Sequence, residues 1–215
     1  MLGYWKIRGL ASQIRYEMVY LGVSYAEDQY EQGDAPGFDR SCWTDVKESL
    51  GLPFPNLPYL IDGKVKMTET NAIMRYLATK YGPELLGTTP EQIAQVEMLA
   101  GVVHDLKMAM TMPCYASADR APLVLKMHEK VPAIVAALGS NRFLAGDSVT
   151  YVDFTLFELC DLMEFISEGD LFKKYEVLKE YSDRMKALPR LGDFYADDSK
   201  CMKRPFNNKV AKINN

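Results

Sequence analysis

Over residues 1–81 the apolar positions change period several times, recurring every second residue in some stretches and every third or fourth in others. Leu2-Gly3-Tyr4-Trp5-Lys6-Ile7 reads as a short strand near 2–7 that runs into the turn at Gly9. Ser12 to Leu21 reads as an amphipathic helix closed by Gly22. A second strand is expected near 25–30, and a hairpin near 58–67 turning at Asp62-Gly63, a dipeptide that accepts the positive φ values of a tight turn. After Thr68 a helix carries Ile73, Met74, Leu77 and Tyr81 on its inner side. The order β-α-β-(α)-β-β-α is an α/β sheet layout.

Beyond Gly82-Pro83 the strand period disappears. Thr88-Thr89-Pro90-Glu91 is a helix start, a threonine cap followed by proline in the first turn. From there Ile93, Val96, Leu99, Val103, Leu106 and Met110 describe one long helix reaching toward Pro113. A second helix covers about 122–138 and closes at Gly139. Val149-Thr150-Tyr151-Val152-Asp153-Phe154 combines a capping box, Thr150 with Asp153, and a hydrophobic staple, Val149 with Phe154. It is a folding signal and carries no chemistry. The chain therefore divides into an α/β domain over 1–82 and an all-helical domain over 88–215.

A length of 215 residues with 48% hydrophobic content is enough to bury the core of one large domain or two small ones. No apolar run approaches the ~20 residues needed to span a bilayer, and Met1-Leu2 leads directly into the first strand without a signal-peptide layout. The expected location is cytoplasmic. Cys42, Cys114, Cys160 and Cys201 are too scattered for a CxxC redox or zinc site and read as reduced thiols. Neither His104 nor His128 has a partner at metal-ligand spacing, so no metal is expected. A net charge of -4 argues against a general nucleic-acid binder, although Lys200, Lys203, Arg204, Lys209 and Lys212 form a local basic cluster.

Three stretches together resemble the cytosolic glutathione transferases: the Gly3-Tyr4-Trp5 strand end with its glycine turn, Phe54-Pro55-Asn56-Leu57-Pro58-Tyr59-Leu60-Ile61-Asp62-Gly63, and the helix opening Thr68-Glu69-Thr70-Asn71. Gln32-Gly33-Asp34-Ala35-Pro36-Gly37-Phe38-Asp39-Arg40-Ser41-Cys42-Trp43 is similar to the extra loop of that family's mu class. The resemblance runs through nearly the whole chain. It implies a thioredoxin-like N-terminal domain with Tyr4 in the region of the missing redox CxxC, an all-helical second domain, and a detoxifying transferase. Glutathione is then a substrate and not a cofactor; the other substrate is a hydrophobic electrophile.

Glutathione presents two carboxylates, one ammonium and a thiol, and the thiol must become a thiolate to act as nucleophile. A drop of about two units from a free pKa near 8.5 corresponds to roughly 2.7 kcal/mol of differential stabilisation, which a phenol donating to sulfur can largely supply. By residue pattern alone Tyr4 is a packed tyrosine at a strand end; the resemblance makes it the catalytic phenol, with Trp5 and Leu10 beside the tripeptide. Leu57-Pro58 matches the cis-proline turn that presents the preceding residue's backbone to the cysteinyl part, although Pro58 can equally just start a strand. Asn56 adds a side-chain contact. Thr70 would receive the γ-glutamyl carboxylate at a helix start and Glu69 the ammonium; the mu pattern usually has Gln-Ser here, and the same two residues also read as a plain cap with an acidic first turn. Trp43 and Lys47, with Arg40 as a third member, would converge on the glycyl carboxylate, against the alternative of a snorkelling surface pair. Asp105 matches an acid that reaches the ligand of the other subunit; on its own it is a solvated helix residue.

The electrophile is expected against Ile7, Leu10, His104, Met108, Thr111, Tyr115 and Met202. Tyr115 matches a mu-class tyrosine that assists reaction at an electrophile such as an epoxide, and it also fits a core position. His104 stands where mu relatives are usually apolar. Phe54 matches an aromatic that plugs the partner subunit, and Arg75, with Glu97 as its expected acid, a residue near the two-fold axis, which implies a homodimer. Two other activities fit the same fold: a non-catalytic binder of hydrophobic ligands and a glutathione-dependent isomerase. A glutaredoxin-type oxidoreductase would need a cysteine in the Tyr4 region.

Overall fold

Leu2–Trp5 forms β1, Glu27–Tyr30 β2, Tyr59–Asp62 β3 and Val65–Thr68 β4. These pair into one sheet in the order β2-β1-β3-β4, with β1 parallel to β2 and antiparallel to β3, and β3 antiparallel to β4. The computed structural model describes residues 1–201, 205–206 and 208–214. α1 (Ser12–Leu21) follows β1 and ends at Gly22, whose φ of 68° is left-handed. A short α2 (Ser41–Thr44) and a 3-10 turn (Lys47–Leu50) precede the hairpin β3-β4, and α3 (Thr70–Tyr81) follows it. Gly3 is needed in β1 because a Cβ there would lie 2.0 Å from the Tyr59 ring on the neighbouring strand.

The remaining helices are α4 (Pro90–Thr111), α5 (Pro113–Ala116), α6 (Ala121–Leu138), α7 (Tyr151–Ile166), α8 (Asp170–Lys174), α9 (Glu176–Lys186), α10 (Leu191–Ala196) and α11 (Asp198–Cys201), with a last 3-10 turn at Lys212–Asn214. Among the described residues every strand precedes residue 69. No helix there is long and apolar enough to cross a membrane. α4 begins at the expected cap, Thr89 Oγ1 accepting the Gln92 N–H at 3.3 Å. Helix α7 is buried on every side from Tyr151 to Met163 and contacts α1, α3, α4, α6 and α9, so it is the central helix of the core. At its start the Asp153 carboxylate accepts from the Thr150 N–H and hydroxyl, both at 2.8 Å, the Leu144 N–H at 2.9 Å and the Tyr181 hydroxyl at 2.9 Å. The capping box is thus also a tie between three segments.

Two positions depart from the helical pattern. Tyr81 and Ile93 are each 43% exposed, because α3 turns Ala78 inward in place of Tyr81 and α4 buries its first core residue only at Val96. In α1 the whole stretch Ser12–Met18 is buried between α3, α7 and α10. That includes Glu17, whose two carboxyl oxygens have no hydrogen-bond partner among the described residues.

Candidate functional site

β1 carries Tyr4 near its C-terminal end, between β2 and β3, and the following turn folds back over its ring. The phenolic oxygen accepts the Leu10 N–H at 2.9 Å. The close approach depends on Gly9, at φ 46°, where a Cβ would stand 2.6 Å from that oxygen. Tyr4 is 5% exposed, and burial pushes its pKa up to about 12, with the Leu10 N–H offsetting part of the rise. The group is therefore a protonated phenol across the neutral range. Its oxygen is already satisfied, and its proton has no acceptor among the described residues.

That proton lies at a cleft of about 280 Å³ between the sheet domain and the helices. Ile7 and Leu10 from the turn, Met108 and Thr111 from α4, and Tyr115 from α5 line it. His104 does not: it is solvent-exposed, because the cleft ends at the level of Met108, one helical turn short of it. Met202, Lys203 and Arg204 lie outside the described residues. Pro205, Phe206 and Asn208 of the tail also form this wall, and the Phe206 ring meets Tyr115 edge-on at 5.8 Å. No local pattern marks these three.

The expected glutathione-binding residues surround the same end of the sheet. Leu57–Pro58 is a cis peptide leading into β3, and both residues are buried. Glu69 caps α3 at φ 72°, one of four non-glycine residues with positive φ among those described; a conformation of this kind costs about 1–3 kcal/mol and concentrates at functional sites. Its side chain is exposed, while the Thr70 hydroxyl reaches back to the Leu10 carbonyl at 3.4 Å, so the helix start and the Tyr4 turn are joined. Trp43 is buried, stacked 6.0 Å from Tyr59 and edge-on 5.2 Å from Tyr30, which in turn meets Trp5 at 6.4 Å. This aromatic stack, which the snorkelling alternative does not contain, fixes the indole while its N–H has no acceptor among the described residues. Lys47 is half-buried and lies 3.6 Å from Glu48; Arg40 and Asn56 are exposed.

Beneath the cleft lies a buried polar cluster that motif reasoning missed. Arg8, fully buried, donates to Tyr16 Oη at 2.9 Å, to Asp161 at 3.0 Å and to Glu158, so the Tyr4 turn is bound to the central helix. Lys107 of α4 donates to Gln13 Oε1 at 2.7 Å and to the Gly9 carbonyl at 3.4 Å. Burial pulls its pKa down to about 8, against Glu158, which favours the charged form. The one available signal was an arginine set between Ile7 and Gly9, where the strand runs into the turn, since charged side chains are seldom fully buried unless paired.

Away from the cleft, Phe54 is 80% exposed and Asp105 is also exposed. Arg75 makes its ion pair within the chain, Nε to Glu97 Oε1 at 2.8 Å, and Tyr151 donates to the same oxygen at 3.0 Å.

Residues 1–79 match the family described as glutathione S-transferase, N-terminal domain, and residues 104–198 the one described as glutathione S-transferase, C-terminal domain. The chain is 39% identical over 219 residues to glutathione S-transferase Mu 5 of Rattus norvegicus, an alignment covering 100% of this chain and 95% of that protein. It is 41% identical over 214 residues to glutathione S-transferase Mu 1 of Bos taurus, covering 98% and 96%, and 40% identical over 218 residues to a glutathione S-transferase of Dermatophagoides pteronyssinus, covering 100% and 96%. The crystal structure of the glutathione S-transferase Blo t 8 superimposes with a TM-score of 0.87 at 31% identity, covering 100% of this chain and 99% of that one.

Proposed function

The chain belongs to the glutathione S-transferase family, and from that premise we propose a mu-class-like enzyme in which Tyr4 holds the thiolate of reduced glutathione for attack on a hydrophobic electrophile. Glutathione conjugation is the activity of the family as its relatives are named. The observation that carries Tyr4's part is the pairing of the Leu10 N–H with its phenolic oxygen, which leaves the proton available to sulfur. A donor aimed at developing negative charge in a partly dry site acts as an oxyanion hole does. Glutathione would lie along the β3 end of the sheet. The γ-glutamyl group would sit at Glu69 and Thr70, the cysteinyl backbone along Leu57, and the glycyl carboxylate at Trp43, Lys47 and Arg40, with Asn56 beside the tripeptide.

Titrating the bound thiol by its thiolate absorbance tests this reading. The expected ionisation lies about two units below the free value near 8.5. A thiol that ionises only at its free value would favour a ligand-binding protein, and product analysis showing glutathione unconsumed would favour an isomerase.

We also propose a homodimer. Phe54 stands almost wholly in solvent, and Met98 at 63% and Val102 at 45% exposure share the outer side of α4 with Asp105. A partner subunit would cover these side chains and bring Asp105 toward the ligand of the other copy. Phe54→Ser should then shift the species seen in sedimentation velocity from dimer to monomer; a wild-type chain already monomeric at micromolar concentration would remove the proposal. A cytoplasmic location is proposed on the unpaired thiols, Cys42 exposed and Cys114 and Cys160 buried.

A further inference from the structure

The tail that closes the cleft ends in an arrangement that sets the direction of a single proton. Asn208 Nδ2 donates to the Tyr115 hydroxyl at 2.6 Å. The amide cannot be turned round, because its oxygen accepts two backbone N–H groups, Val210 at 2.7 Å and Ala211 at 3.2 Å, and a flipped amide would face them with a second donor. The next residue holds the segment in place from the other domain: Lys209 Nζ lies 2.8 Å from Asp34 Oδ1, 3.1 Å from the Gln32 carbonyl and 3.5 Å from Glu31 Oε1. Asn208 is buried, and both it and Tyr115 line the cleft.

A phenol whose oxygen already accepts a hydrogen bond has its own proton to give. The Tyr115 proton has no acceptor among the described residues, so the group faces the cleft as a donor. We infer that Asn208 is a positioning residue that makes Tyr115 a hydrogen-bond donor to the electrophile, and so favours electrophiles that develop an alkoxide, such as epoxides. The inference rests on the conjugating activity proposed above. In the step it serves, the glutathione sulfur lone pair forms the S–C bond, the C–O bond of the ring breaks with its electron pair going to oxygen, and that oxygen takes the Tyr115 proton, which water later restores.

Asn208→Asp separates this role from a role in folding the tail. The aspartate can still accept the Val210 and Ala211 N–H groups, so the turn survives, but it accepts from Tyr115 in place of donating and so removes the proton from the cleft. Two substrates should be compared in the full-length enzyme: an aryl epoxide, and an activated aryl chloride whose developing charge spreads over ring nitro groups. Expected is a fall of about tenfold or more in kcat/KM for the epoxide, at or below the usual range for a lost general acid. The aryl chloride should change less than about twofold, and in a Tyr115→Phe background Asn208→Asp should have no further effect on the epoxide. Equal losses on both substrates, no loss on either, or a full loss in the Tyr115→Phe background would overturn the inference. A wild-type chain that conjugates neither substrate would instead overturn the reading beneath it.

Discussion

Tyr4→Phe is expected to lower turnover by on the order of 10², the usual consequence of removing one donor from a developing anion. The ring would remain in its place at the end of β1, since burial and packing hold it there, and only the hydroxyl is lost. Glutathione affinity should be nearly unchanged, because the tripeptide's carboxylates and ammonium are bound by other groups. The pH profile should separate this from a folding defect. In the wild-type enzyme the rate rises with pH as the bound thiol loses its proton, about two units below the free value. In the variant that rise should move up toward 8.5. The Tyr4 phenol adds no step of its own near neutrality, being held protonated up to about 12. Unchanged turnover, or a rise at the same pH in both proteins, would remove Tyr4 from the mechanism.

Glu17→Leu is expected to stabilise the protein by about 2 kcal/mol, within the range for burying an unpaired polar group. In a chain of this size that would raise Tm by roughly 4–8 °C. Glu17 is fully buried in α1, with neither oxygen paired among the described residues, and burial raises its pKa well above the ordinary carboxylate value. The sign follows from proton uptake. Above about pH 4.5 the unfolded chain releases this proton while the folded chain keeps it, so the wild-type protein loses stability as pH rises. The advantage of the leucine variant should therefore be small near pH 4 and grow toward neutrality. Equal thermal midpoints of the two proteins at pH 7 would show that the carboxyl is satisfied in solution.

Local signals carried most of the secondary structure. The bounds of α1, the hairpin β3-β4, the threonine cap of α4 and the end of α6 at Gly139 all follow from interactions within about four residues, which period, capping and turn chemistry report directly. Where two elements share a side of the core, such signals misjudge individual residues, as at Tyr81 and Ile93. His104 shows the same limit within the site: it sits on the cleft's side of α4, but helical period cannot say at which turn a cleft ends.

By itself the chain determined its order of strands and helices, the glycine turn that follows Tyr4, and, through motifs, the residues proposed to meet glutathione. Tertiary structure alone decided that Arg8 would join residues 150 and 153 positions away, that Trp43 would be locked by Tyr59 and Tyr30, that Lys107 and Glu17 would lose their water, and that Asn208 would turn the Tyr115 proton inward. The physical reason is the same in each case: desolvation and hydrogen bonding between groups distant along the chain depend on how whole elements pack, and no short window of sequence contains that packing.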